Sequence, residues 1–201
     1  MERKMKSLRP LDVLDGLTRK NVRLFSPEEF RRIFSISLRA AQEFIKDHRT
    51  DLFVKLKNGL YALKSCVPAE TEIANRLYTP SYLSLEYALA HYRIIPEMVY
   101  SVTSVTTRIT RTFVAEGRSY EYSRIKRKAF TGYRNLKTEA GVVLIAEPEK
   151  ALVDYLYFVD LRLKPLNERL LLRRKVNARA VMHYANLFQR ESLVRLTGKI
   201  L

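Results

Sequence analysis

Apolar positions in the first third of the chain follow a helical period. Leu8, Leu11, Val13, Leu14 and Leu17 recur close to every 3.6 residues, which predicts an amphipathic helix over residues 8–17. Ser26-Pro27-Glu28-Glu29 is a helix start: a capping serine, a proline suited to the first helical position, and two carboxylates for the positive end of the dipole. That helix is expected to run to about Phe34 and to bury Phe30, Ile33 and Phe34. Ser37 then caps a third helix ending near His48, with Leu38, Ala41, Ile45 and His48 on its buried stripe. Residues 53–63 alternate apolar and polar positions around Asn58-Gly59. That is the strongest short hairpin signal, because a two-residue turn of this kind wants positive φ at both positions.

Beyond residue 66 the pattern mixes both periods. Residues 81–92 carry a capping start and an amphipathic helical spacing. Residues 99–113 are rich in Val, Thr, Ile and Tyr, which favours strands. Residues 120–130 and 142–146 read as further strands, and Glu147-Pro148-Glu149-Lys150 opens a helix with Ala151, Leu152, Tyr155 and Leu156 apolar. After Pro165 the chain is expected to be helical in two or three pieces, with breaks at Asn177 and at residues 189–192. The fold class is therefore α+β in two domains: residues 1–66, a winged helix-turn-helix, and residues 67–201, a mixed domain with a small sheet and a helical C-terminus. The seam lies in residues 65–71 around Pro68.

Composition changes the functional picture more than the fold. The chain has 201 residues with 37 Lys and Arg against 21 Asp and Glu, a formal net charge of +16. An excess of that size points to a polyanionic partner, nucleic acid being the commonest, or to an acidic protein face. The charge is spread over both halves, with no basic tail, repeat or low-complexity tract. Apolar residues make up 47%, enough for packed cores. No apolar run is long enough to span a bilayer and no secretory leader is visible, so no membrane partner and a cytoplasmic location are expected. Cys66 is the single cysteine, which excludes an internal disulfide and paired-cysteine zinc. His48, His91 and His183 are scattered, so neither a metal site nor a cofactor is expected.

Helix, short helix, helix and hairpin is the order of a winged helix-turn-helix. In that arrangement the third helix enters the major groove of double-stranded DNA and the hairpin acts as the wing. Arg39 and Gln42 have donors suited to base edges, and Lys46, Lys55 and Lys57 can meet phosphates. Arg31 and Arg32 on the second helix can clamp the backbone, and Ser37 marks a helix N-terminus, itself a phosphate site. Winged helices also bind proteins, and a solvated basic face is the plainer reading. Glu43 runs against DNA contact unless it meets a cytosine amino group. His48 reads as a packed helix-end residue.

Three segments carry a resemblance. Residues 57–63 (KNGLYAL), 76–98 (RLYTPSYLSLEYALAHYRIIPEM) and 146–157 (AEPEKALVDYLY) resemble the AbiE-type antitoxin family, the AbiEi proteins of type IV toxin-antitoxin and phage-defence systems. Gly59-Leu60-Tyr61, then Tyr82, Ser84 and Ala88-Leu89, then Gly132, then Pro148 through Asp154 occur in the family's order and span nearly the whole chain. Tyr87 stands where the family usually has a small residue. The resemblance implies that the winged helix binds and represses the promoter of its own operon. It also implies that the C-terminal domain neutralises a nucleotidyltransferase-like toxin, by direct contact or by undoing its effect. A candidate C-terminal basic patch of Arg124, Lys126, Arg127 and Lys128 fits either role.

Other chemistry is sparse. The motif Pro148-Glu149-Lys150 to Asp154 reads as a helix start with an i,i+4 ion pair rather than as an acid-base site, and Glu147 and Glu149 have no evident metal-binding partners. No phosphate-cradling loop, nucleophile elbow or nucleotidyltransferase signature occurs, so the chain is expected not to be an enzyme and not to be the toxin itself. Alternation on a strand would put Arg124, Lys126 and Lys128 on one face, where a solvated edge is the plainer account. Arg173, Arg174 and Lys175 are expected at a helix end. Two alternatives stand beside the antitoxin: a stand-alone winged-helix regulator with a sensor domain, and an enzyme acting on nucleic acid through Glu147, Glu149 or Asp154.

Overall fold

The computed structural model describes residues 8–138, 141–172 and 176–201. The chain is mixed α+β and divides into two compact units, Met1–Ala69 and Glu70–Leu201. Arg173, Arg174 and Lys175 lie outside the described residues.

The first unit runs α1 (Pro10–Arg19), β1 (Leu24–Phe25), α2 (Pro27–Phe34), α3 (Leu38–Asp47), β2 (Phe53–Lys57) and β3 (Leu60–Leu63). Its three strands form an antiparallel sheet in the order β1-β3-β2. Local chemistry sets the helix ends. Ser26 and Glu29 form a reciprocal capping box, the Glu29 amide donating to Ser26 Oγ at 3.2 Å and the Ser26 amide to Glu29 Oε2 at 2.7 Å. Ser35, at φ 54°, stops α2, and Ser37 Oγ caps α3 by accepting from the Ala40 amide at 3.1 Å. The core joins Val13, Leu17, Phe25, Phe30, Ala41, Ile45, Phe53 and Leu63. Phe25 centres it, its ring 5.1 Å from Phe53 and 5.5 Å from Phe30.

Three local expectations change here. Leu38 is 40% exposed, because it sits in the first turn of α3 and outside the aromatic cluster. Ile33 and Phe34 are only partly buried. Of the two turn residues only Gly59 has positive φ, 76°, and the register shifts between Lys55 and Lys57; a bulge on the incoming strand supplies the twist expected of the turn.

The second unit contains α4 (Glu70–Leu77), β4 (Ser81–Leu83), α5 (Leu85–His91), β5 (Val102–Thr106), β6 (Arg111–Ala115), β7 (Arg118–Arg124), a single 3-10 turn (Arg127–Ala129), β8 (Tyr133–Thr138), β9 (Gly141–Ala146), α6 (Pro148–Asp160), α7 (Ala178–Leu187) and α8 (Glu191–Ile200). Its six strands lie in the order β6-β7-β5-β4-β9-β8. The β5·β7 and β4·β9 pairs are parallel and the others antiparallel. α6 is buried from Lys150 to Leu156 and packs against α5, α7 and α8. Asn75 ties α4 to β9, accepting from the Leu144 amide at 2.5 Å. No helix among the described residues is long and apolar enough to cross a membrane.

The sequence pattern merged or missed four elements in this unit. Residues 81–83 form a strand rather than the start of a helix, because they pair with β5 on one side and β9 on the other. α4 begins inside the expected seam, and β8 is an edge strand of mostly exposed residues with little apolar signal. The strand expected over residues 120–130 ends at Arg124. Arg127–Ala129 turns instead, so Arg124, Lys126 and Lys128 do not share a strand face. Residues 165–172 are not helical, while α7 starts just after the expected break at Asn177 and α8 starts at Glu191, inside the break expected over residues 189–192.

Candidate nucleic-acid interface and a buried charged pair

In the first unit, α3 shows its polar side to solvent. Arg39, Gln42 and Lys46 are exposed along it, in steps of three and four residues. Arg39 Nε donates to Glu43 Oε1 at 2.9 Å, and both side chains remain largely exposed. Gln42, Lys46 and Arg49 line a pocket of about 220 Å³ with Ile45, Pro27, Tyr61 and the turn glycine Gly59. This pocket brings the helix face and the hairpin turn together. Arg49 was missed in the sequence because it lies past the end of α3, although its spacing of seven from Gln42 continues the same face.

The other basic residues are placed differently. Arg31 grips Glu28 with two bonds, Nε to Oε2 at 2.8 Å and Nη2 to Oε1 at 2.5 Å. Arg32 reaches the same carboxylate at 3.4 Å. The Arg31 guanidinium therefore holds the Glu28 carboxyl below its usual range. Two arginines share one carboxylate, leaving one net positive charge there. Ser37 Oγ is occupied as the α3 cap. Lys55 is exposed on β2 and Lys57 half-buried at its end. His48 packs its ring 4.4 Å from Phe44 and bonds Asp51 through Nδ1 at 2.8 Å, as a helix-end residue does.

In the second unit, Arg124, Lys126 and Arg127 line a cleft of about 440 Å³ with Thr107, Ile125 and Tyr157. Lys128 does not line it. Lys126 Nζ donates to the Phe188 carbonyl at the end of α7, at 2.7 Å, which ties part of this charge to a helix terminus.

The motif residues of α6 converge deep inside the same unit. Lys150 and Asp154 are fully buried and bonded to each other. Asp154 Oδ2 also accepts from Tyr82 Oη at 3.0 Å and from Ser84 Oγ at 2.8 Å, and Lys150 Nζ lies 4.8 Å from the centre of the Phe188 ring. Burial pushes the Lys150 amine down and the Asp154 carboxyl up, and their mutual contact opposes both shifts. Burial beside the carboxylate raises the Tyr82 phenol. The pair has three hydrogen-bond partners on the carboxylate and no exposed surface, which suits a packing role rather than contact with a substrate. Glu147 accepts from Tyr184 Oη at 2.7 Å and Glu149 from the Asn177 amide at 2.8 Å, so both glutamates fasten α7. Among the described residues no group of three His, Cys, Asp or Glu side chains is placed to hold a metal ion. Cys66 is exposed.

No family model and no curated protein matches the chain. Among solved structures it is similar to the crystal structure of the RV2827C protein from Mycobacterium tuberculosis. The TM-score is 0.46 at 16% identity, covering 92% of this chain and 78% of that one.

Proposed function

We propose that the chain is a DNA-binding antitoxin of the AbiE type: a cytoplasmic protein, not an enzyme, that represses its own operon and neutralises a nucleotidyltransferase-like toxin. The observation that carries this reading is the first unit's chain order, α1-β1-α2-α3-β2-β3 with sheet order β1-β3-β2, joined to the exposed stripe of Arg39, Gln42, Lys46 and Arg49 beside the hairpin turn. This order supports a winged-helix reading, in which α3 is the helix for the major groove and the β2-β3 hairpin the wing. The net charge of +16 supplies the long-range attraction to DNA.

For the second unit the support is the motif itself. Tyr82, Ser84, Lys150 and Asp154, which carry much of the family resemblance, meet in one buried cluster. That cluster fastens α6 to β4.

The test is fluorescence anisotropy of the whole chain on DNA from upstream of its own gene and on scrambled DNA, across a salt series. Preference for upstream DNA should reach roughly 10³-fold or more. The variant carrying Arg39→Ala and Gln42→Ala should lose that preference. Absence of any preference in the wild-type chain would overturn the autorepressor assignment. Co-expression with the product of the adjacent gene tests the antitoxin half by growth rescue.

A further inference from the structure

α2 and α3 treat their acidic residues in opposite ways. α2 places Glu28 and Glu29 in its first turn and its arginines after them, the order that suits the helix dipole. α3 has no acidic residue in its first turn; Arg39 sits there and Glu43 follows one turn later. This is the weaker order for helix stability, so helix formation gains little from the Arg39–Glu43 pair. It lies on the face that the winged-helix assignment turns towards DNA, where an unpaired carboxylate would meet the phosphate field.

The geometry of the bond suggests what the pair does. The bond to Glu43 uses Arg39 Nε. It leaves the edge formed by the two terminal nitrogens for another acceptor, and that edge matches the O6 and N7 atoms of guanine. Held through Nε, the guanidinium presents its fork with fewer rotamers to lose on binding. An exposed pair of this kind is weak in water, but it strengthens where the groove excludes solvent.

We propose that Glu43 is a positioning residue for Arg39 and that the pair reads a guanine in the major groove of the operator. This rests on the winged-helix reading of the first unit.

The experiment scans single base-pair changes in the upstream DNA against wild type, Arg39→Ala, Glu43→Ala and Glu43→Gln, using the whole chain and anisotropy. Wild type should prefer one G·C pair by roughly 5- to 150-fold, and Arg39→Ala should erase that preference. Glu43→Ala should cut the preference to about threefold or less while affinity for scrambled DNA holds or rises, because a negative charge has gone. A residue that only stabilised the fold would weaken both. Glu43→Gln, which keeps an oxygen acceptor for Nε, should retain part of the preference. Circular dichroism checks that each variant keeps its helix content. A Glu43→Ala chain with the full guanine preference would overturn the proposal. So would loss confined to a C·G position that Arg39→Ala leaves untouched, since Glu43 would then be reading cytosine itself. Wild-type preference for upstream DNA with no Arg39-dependent guanine overturns this inference alone. A wild type indifferent to upstream DNA overturns the winged-helix reading beneath it.

Discussion

Lys150 and Asp154 hold opposite charges in a place with no exposed surface, and their neighbours determine what each is worth. Their i,i+4 spacing on a helix was visible in the sequence, as was the bond it permits. Their burial was not, because it depends on Tyr82 and Ser84 from β4 and its flank and on Phe188 after α7. Removing one member leaves the other charged and unpaired inside the unit. Lys150→Ala should therefore cost about 3–5 kcal/mol in urea unfolding. Replacing both residues with apolar side chains of similar volume, Lys150→Met with Asp154→Leu, should recover only part of that loss, because the buried Tyr82 and Ser84 hydroxyls lose the carboxylate as acceptor. A Lys150→Ala protein that unfolds at the wild-type urea midpoint would show that water reaches Asp154 after all. Arg39 makes the complementary case: its exposure was expected, but its bond to Glu43 is a rotamer choice that spacing permits and does not require.

Elements with their own start and stop signals were placed almost to the residue. α2 and α3 match their expected starts because Ser26, Pro27 and Ser37 act within one turn of themselves. β4 did not, because three residues make a strand only when β5 and β9 lie on either side. β5 is buried along all five residues although three of them are Ser or Thr. Thr103 Oγ1 offsets its share of that cost by donating to the Ser84 carbonyl at 2.7 Å and Thr106 Oγ1 by donating to that of Pro80, while the Ser104 hydroxyl is buried without a hydrogen-bond partner. The link between β8 and the helices runs through Gly132, at φ 72°, where an added Cβ would lie 2.6 Å from the Tyr184 ring. Tyr184 cannot swing away without losing its bond to Glu147. Gly132→Ala should cost about 1–3 kcal/mol for its backbone conformation alone, with the ring clash added. Gly59→Ala has open space around its Cβ and should cost less. Equal losses in thermal unfolding would mean that the ring gives way freely.

Across the whole molecule charge is the dominant property, at +16, and the proposed DNA binding, if it runs through phosphate contacts, carries a salt dependence set by the number of phosphates neutralised. Replacing Lys46 and Arg49 with Ala should flatten the plot of log affinity against log salt by about 0.9 for each phosphate that is no longer neutralised. An unchanged slope would remove the pocket between α3 and the hairpin turn from the proposed interface. The charge, the α+β class, the Ser26 and Ser37 caps, the hairpin around Gly59 and the exposed stripe of α3 were legible in the chain alone. Each of these arises from residues within a turn or a strand of one another, where spacing and side-chain chemistry act directly. Tertiary structure alone decided the six-stranded order, the strand character of residues 81–83, the burial of Lys150 with Asp154, and the meeting of Arg49 with the hairpin turn. These depend on segments far apart in the chain, whose pairing is selected by the packing of the whole unit and leaves no period in the sequence.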